Sequence, residues 1–399
     1  MLLVHRTAAR WRWFSLALFV AGLPAGVFGA CGGDAVEPAS GDAAGDSTAM
    51  LPGDAAKDSE SDDANDASAS DARLPSAALH IHPRQGATGD DSAAAVGPGL
   101  VLDGGFGGGS VLAWMHDAST GGIAGRGDVV VLTHHAGDFS GGWLAAAPFH
   151  SVQTISIGEG ATADDYAIAA DIVSRAEVVW FTGGDQAKYV AWNKTPVMLA
   201  VQSVYARKGV VGGSSAGMII LGSSVNDATK TLSENITTAV CVNDPYDSKI
   251  HFTQNIFSFP PLVRTITDPH FVAVNRMGRL ATFMGRQVAD GFATPDILGI
   301  GVADGAALVI DREGIGKRLG AGAASAYVIR GGTPLQIAAG TTLNYPALHV
   351  VKLQSAADQY DFTRRCGRGF VKDIDVDGSQ SPPYPADVYE NGPAMDECP

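Results

Sequence analysis

Gly209-Val210-Val211-Gly212-Gly213-Ser214-Ser215-Ala216-Gly217-Met218-Ile219-Ile220-Leu221 is the stretch on which the reading of this chain turns. An apolar run, a cluster of small residues and a second apolar run have the layout of a buried strand, a sharp turn and a helix. The turn holds the pattern G-x-S-x-G with Ser215 at its centre. Backbone at such a serine is strained, and Gly213 and Gly217 leave room for strand and helix to close around it. The helix behind it aims free N–H groups at the oxygen of an attacked carbonyl. A Gly-Ser-rich turn before a helix is more often only a turn, so the pattern needs support from the rest of the chain.

Outward from that turn, strand-like apolar runs recur, each ending in a polar or glycine-rich turn. Leu100-Val101-Leu102 precedes Gly104-Gly105, Val129-Val130-Val131-Leu132 precedes His134-His135, and Val178-Val179-Trp180-Phe181 precedes Gly183-Gly184-Asp185-Gln186. Helical patterns intervene, notably 164–175 and 196–207. The alternation predicts a parallel sheet covered by helices on both faces, an α/β fold. Ligands sit at the carboxyl ends of the strands in such sheets, which is where these turns fall. From about Gly299 the pattern becomes short β-rich segments.

The first thirty residues do not belong to that core. His5, Arg6, Arg10 and Arg12 precede an apolar run that Pro24 interrupts, so residues 1–30 are expected to be an export signal. Phe28-Gly29-Ala30-Cys31 resembles the lipobox of bacterial lipoproteins, with Cys31 as the lipidated residue. The expected location is a lipid-anchored exported protein, periplasmic or at the cell surface, with plain secretion as the alternative. Residues 31–78 are mostly Asp, Ala, Ser and Gly and are expected to be a disordered acidic tether, spanning roughly 35–40 Å. The formal net charge of −15 argues against a nucleic-acid partner. Cys241, Cys366 and Cys398 do not have zinc-site spacings. The two C-terminal ones could staple the tail, which leaves Cys241 as a buried thiol.

Two further stretches turn a weak motif into a specific one. Phe181-Thr182-Gly183-Gly184-Asp185-Gln186 resembles the F-T-G-G-D-Q segment of cyanophycinases and related serine peptidases. Asp268-Pro269-His270-Phe271, followed by Arg276-Met277-Gly278-Arg279-Leu280, is similar to their D-Q-H-F…R-x-G-R-L segment. Gly213-Ser214-Ser215-Ala216-Gly217 resembles their G-T-S-A-G turn, and Gly299-Ile300-Gly301-Val302-Ala303-Asp304 a later G-I-G-I-D-E segment. The resemblance implies a flavodoxin-like three-layer α/β/α sheet with a nucleophile elbow, akin to class I glutamine amidotransferases, over residues 79–362. Residues 363–399 would be a Pro/Asp-rich C-terminal tail. The family includes dipeptidases acting next to aspartate.

Ser215 is inert near neutral pH unless a base takes its proton. A histidine suits that task, and His270 stands at the family's position for it. An acid must then hold the imidazole. The resemblance assigns that role to Asp304, although Asp268 lies two residues before His270 and could also reach it. The oxyanion would meet the Ala216 N–H and an N–H of Gly183 or Gly184. Gln186, Asp268, Arg276 and Arg279 match substrate-binding positions, the two arginines sharing one helix face. His134 and His135 are read as the end of a strand. Asp373-Ile374-Asp375-Val376-Asp377-Gly378 opens like a calcium loop, but position twelve is Tyr384 rather than Glu, so it is read as solvated tail.

Pro269 and Val274 stand where the family carries Gln and Arg, which alters the pocket. The expectation is an exported serine peptidase hydrolysing peptide or isopeptide bonds next to aspartyl residues through an acyl-enzyme. It would need no cofactor and no metal, and a homodimer is left open. The alternatives are a catalytically inactive peptide-binding lipoprotein and a generic serine esterase. The esterase fold orders its triad Ser…Asp…His, whereas this chain would run Ser215…His270…Asp304.

Overall fold

The computed structural model describes residues 73–398 apart from 106, 107 and 321. The expected export signal, Cys31 and most of the expected tether lie outside the described residues. At its near end Ser76 is already attached, donating its N–H and hydroxyl to the Asp165 carboxylate at 2.8 and 2.6 Å.

Two short strands, β1 (Leu79–Ile81) and β2 (Gln85–Gly86), precede five longer ones: β3 (Gly99–Asp103), β4 (Arg126–Thr133), β5 (Phe149–Ile157), β6 (Val178–Phe181) and β7 (Val210–Ser214). Between them run α1 (Gly109–Thr120), α2 (Ser140–Ala146), α3 (Ala163–Val173), α4 (Gln186–Val190) and α5 (Pro196–Ala206). The five strands are parallel and lie side by side as β5–β4–β6–β7–β3. Their side chains alternate between two cores, as a period of two requires. Leu100, Leu102, Val130, Leu132, Val179 and Phe181 pack with α3 and α5. Val101, Val129, Val131, Val178 and Trp180 pack with α1 and α2 on the other face. This is the covered parallel sheet that the apolar runs implied. A flavodoxin sheet, however, runs 2-1-3-4-5. Here the first strand of the set, β3, sits at its far end beside β7, which carries the Ser215 turn.

After β7 come α6 (Ala216–Ile219), β8 (Ser224–Asn226), α7 (Thr238–Asn243), β9 (Phe252–Gln254), β10 (Thr265–Asp268), α8 (Met277–Ala289) and β11 (Leu298–Val302). The remainder is β apart from a 3-10 turn at Ala386–Tyr389: β12 (Ala306–Ile310), β13 (Ile315–Gly320), β14 (Ala326–Arg330), β15 (Asn344–Leu353), β16 (Gln359–Asp361), β17 (Cys366–Asp377) and β18 (Ala394–Asp396). β12 pairs antiparallel with β3. From it the sheet runs on through β13, β16, β17, β15 and β14 to β11, and then to β10 and β8. The consecutive strands β11 and β12 therefore stand at opposite ends of that antiparallel run. The turn at 303–305 joins them next to the end of β3.

The C-terminal stretch is not a tail. β17 contributes twelve residues to the sheet, paired with β15. Asp373-Ile374-Asp375-Val376-Asp377 is an alternating strand with Ile374 and Val376 buried, so the acidic residues are its outer face rather than a calcium loop. Asp375 accepts the Ala347 N–H at 2.8 Å and Asp377 accepts the Ser379 N–H at 2.9 Å. Cys366 and Cys398 form a disulfide, and Cys241 is a buried thiol. Among the described residues no helix is long and apolar enough to cross a membrane.

Far from the Ser215 end, Glu177 precedes β6 and accepts the Asp128 N–H at 2.8 Å. Burial pushes its carboxyl up from 4.5 to about 7, against the pull of that hydrogen bond and with the charges of Asp128 and Asp91 adding. A raised carboxyl favours the fold while it stays protonated. Its contribution is complete below the unfolded value near 4.5 and is lost as pH rises through about 7. Between pH 4.5 and 8 the group should cost on the order of 3 kcal/mol of stability. Urea unfolding of a Glu177→Gln variant should show a flatter pH profile than the parent, and equal slopes would contradict the assignment.

Candidate active site

Ser215 sits between β7 and α6 with φ 51° and ψ −114°, a left-handed backbone uncommon for a residue with a side chain. The close packing is visible at Gly213, where a Cβ would come within 2.4 Å of the Gly217 backbone. The expected helix behind the serine is a single turn, Ala216–Ile219. At its end the Met218 and Ile219 carbonyls lie 3.1 and 3.3 Å from the Thr267 hydroxyl.

The Ser215 hydroxyl lies 2.7 Å from His270 Nε2. On the other side of the ring, His270 Nδ1 is hydrogen-bonded to Asp304 Oδ1. Nδ1 therefore carries the proton shared with the carboxylate, and Nε2 is free to accept from the serine. The three residues come from three strand ends, those of β7, β10 and β11. One tripeptide aligns them: the Asp103 carbonyl accepts the Ser215 N–H at 3.0 Å, the Gly104 carbonyl the His270 N–H at 3.0 Å, and the Gly105 carbonyl the Gly305 N–H at 2.6 Å. Gly105 has φ 130°, and a Cβ there would lie 2.7 Å from His270 Cε1 and 2.8 Å from Asp304 Oδ1. Only glycine fits beneath this relay. Gly104-Gly105 was legible in the sequence as a turn after a strand, but its task depends on partners that no local pattern names.

Asp268 does not touch the imidazole. It is fully buried at the end of β10 and grips two guanidinium groups. Arg279 donates to both its oxygens at 2.9 and 2.7 Å, and Arg276 donates to one at 3.2 Å. Arg279 is only 1% exposed, and its remaining donors reach the Ser233 and Ile236 carbonyls at 2.8 and 3.0 Å. Arg276 also holds the Pro269 carbonyl at 2.7 Å. The expected carboxylate-binding pair is thus turned inward on a carboxylate of the chain itself, because α8 packs this face against β10. The same contacts correct the substrate-binding reading of Asp268. Gln186 is likewise buried, with Nε2 3.4 Å from the Asn226 carbonyl.

Gly183 passes alongside Ser215, where a Cβ would lie 3.4 Å from Ser215 Cβ. The two histidines after β4 hold this loop from behind. His134 Nε2 accepts the Asp185 N–H at 2.9 Å, and His135 Nε2 lies 3.3 Å from the Gly183 carbonyl. Gly184, at φ 132°, lets the His134 ring approach so closely that a Cβ would fall 2.3 Å from Nε2. Burial lowers the pKa of His134, and the charge of His135 adds to that, which favours the neutral form this acceptor role needs. Among the described residues no group of three or more His, Cys, Asp or Glu is arranged to hold a metal ion.

No family model matches the chain. Two curated relatives do: it is 25% identical over 173 residues to the cyanophycinase of Synechococcus elongatus, and equally to that of Thermosynechococcus vestitus. The match takes in 43% of this chain and 47% of each relative, so the chain spans about half the length of the curated relatives it matches. Among solved structures, it overlays a peptidase from an acI-B1 Actinobacterium with TM-score 0.37 and 15% identity, covering 60% of this chain and 92% of that one. A putative peptidase E protein from Listeria monocytogenes gives 0.34 and 13%, covering 54% and 95%.

Removing the Asp268 charge leaves two buried guanidinium groups unpaired. Asp268→Asn should therefore destabilise the fold by about 3–5 kcal/mol. The check is a denaturant midpoint, with Asp373→Asn on the exposed face of β17 as the control that should hardly move.

Proposed function

We propose that this protein is a serine peptidase, acting outside the cytoplasm on peptide or isopeptide bonds next to aspartyl residues. The observation that carries the reading is the continuous relay from the Ser215 hydroxyl through His270 to Asp304. Ser215 Oγ would attack the scissile carbonyl while His270 Nε2 takes its proton. Asp304 keeps the imidazole in the tautomer with its proton on Nδ1 and stabilises the imidazolium. The tetrahedral oxyanion would face the N–H groups of Ala216 and of the Gly183-Gly184 loop, held in position before the reaction. His270 would then protonate the leaving amine, and water admitted by the same base would release the acyl group.

The aspartyl preference draws on the similarity to cyanophycinases. It cannot draw on Arg276 and Arg279, both of which bind Asp268. Chain order favours a peptidase of this type over a generic esterase, since the acid follows the histidine. A β-aspartyl peptide library offered to the full chain tests the substrate class directly. Within that assay, Ser215→Ala should abolish turnover. Asp304→Asn should lower kcat on the order of 10⁴-fold with KM little changed, because Asn favours the wrong tautomer. An equal loss from Asp268→Asn in protein shown to be folded would move the acid. Silence at all three positions would make the chain a binding protein.

Export and anchorage belong to the same proposal and draw on sequence alone. Stable attachment needs more than one lipid chain, each buried CH₂ contributing about 0.8 kcal/mol. The parent should partition into detergent and Cys31→Ser into the aqueous phase. Equal partitioning would end the lipoprotein reading.

A further inference from the structure

The loop between β10 and α8 carries His270 on backbone that resists its own conformation. His270 and Asn275 have φ of 50° and 54°, though neither is glycine, and such residues persist only where neighbours over-determine them. The sheet side of the loop is held by the Gly104 carbonyl at His270 N and by Arg276 at the Pro269 carbonyl. Its outer side carries the exposed Val272 and Val274.

That outer side meets the C-terminal segment. Buried Tyr384 donates its hydroxyl to Asn275 Oδ1 at 2.7 Å. The Tyr389 hydroxyl accepts the N–H of Met277, the first residue of α8, at 3.1 Å. The Tyr389 ring stands edge-on 6.1 Å from that of Phe271, the residue after His270, and both rings flank Tyr327 at 6.0 and 5.1 Å.

The segment is itself tied to the sheet at several points. β18 pairs with β17, and the Cys366–Cys398 disulfide closes its end. Buried Lys352 donates to the Tyr389 carbonyl, the Glu390 carbonyl and Asn391 Oδ1 at 2.7, 3.1 and 2.7 Å. The Gln354 amide brackets Gly392 at 2.5 and 3.3 Å. On the other side of Tyr384 the chain leaves the end of β17, where the Asp377 N–H donates to the Pro383 carbonyl at 2.8 Å, so both tyrosines lie between points attached to the sheet.

We propose that Tyr384 and Tyr389 are positioning residues for His270, and that residues 384–398 form a brace whose attachment to the sheet sets the geometry of the Ser215–His270–Asp304 relay. Its consequence for reactivity rests on the serine peptidase reading, while its geometric content does not. The brace acts on the imidazole through backbone, from Asn275 and Met277 at one end of the loop and Phe271 at the other. An ångström of drift there would open the 2.7 Å contact between Ser215 and Nε2.

The test uses the full chain and two readouts. One is the rate at which a fluorophosphonate labels Ser215: Oγ bonds to phosphorus, fluoride leaves, and His270 takes the proton. The other is the low-field proton resonance of His270 Nδ1–H, assigned by its loss in His270→Gln, which reports the bond to Asp304 without turnover. Tyr384→Phe with Tyr389→Phe keeps both rings and their packing. This double variant should label about tenfold to a hundredfold more slowly and broaden or lose the resonance, with circular dichroism unchanged. Cys366→Ala with Cys398→Ala should act in the same direction, and combining the two pairs should cost no more than the tyrosine pair alone. A tyrosine variant that keeps the resonance and labels within twofold of the parent overturns the proposal, as do losses that multiply. If the parent itself is not labelled, the peptidase reading falls. The resonance then decides the brace: lost in the tyrosine variant it upholds it, retained it overturns it.

Discussion

Three consecutive carbonyls, those of Asp103, Gly104 and Gly105, receive the backbone N–H groups of Ser215, His270 and Gly305. The residues they gather stand 55 and 34 positions apart in the chain, Ser215 from His270 and His270 from Asp304. Side chains brought together over such separations would wander if only their own contacts held them. Backbone bonds to one rigid strand end remove that freedom in advance, which is how folded geometry replaces a chance encounter with a fixed arrangement. The arrangement requires β3 to lie beside both β7 and β12. The order β5–β4–β6–β7–β3 supplies the first neighbour, and the antiparallel run returning to β11 supplies the turn that carries Asp304.

A second constraint keeps the histidine strand in register. Asp268 is a buried charge whose desolvation would be costly without partners, and two arginines with good geometry supply them. Arg279 adds bonds to the Ser233 and Ile236 carbonyls, so one guanidinium joins α8, β10 and the segment before α7. The cluster fixes where β10 ends, and so where the loop bearing His270 begins. His134 and His135 do comparable work across the site by holding the Gly183–Asp185 turn from behind. Arg276 and Arg279 look like recognition residues in the sequence because they match substrate-binding positions, whereas the histidines read only as the end of a strand. In the fold the arginines turn inward to Asp268, and His134 turns to the Asp185 N–H.

Much of the architecture was legible without the fold. Short apolar runs that each end in a polar or glycine-rich turn, with helical patterns between them, read as buried strands, and the small residues around Ser215 read as a tight strand-to-helix turn. The resemblance of three separate motifs to cyanophycinases then pointed to Ser215, His270 and Asp304 as a relay, with Asp268 as a rival acid. Local patterns failed where a residue's meaning lies in its partner. Arg276 and Arg279 share a helix face by spacing alone, yet whether that face meets water or Asp268 depends on how α8 lies on β10. Asp268 and Asp304 were both within reach of His270 in sequence terms, and the turn at 303–305 beside Gly105 decided between them. The alternation Asp373-Ile374-Asp375-Val376-Asp377 suits a strand as well as an acidic loop, and only pairing with β15 made it one. Periodicity is written residue by residue because it follows from backbone geometry. Burial and charge pairing are properties of two distant segments at once, and no window of sequence contains both.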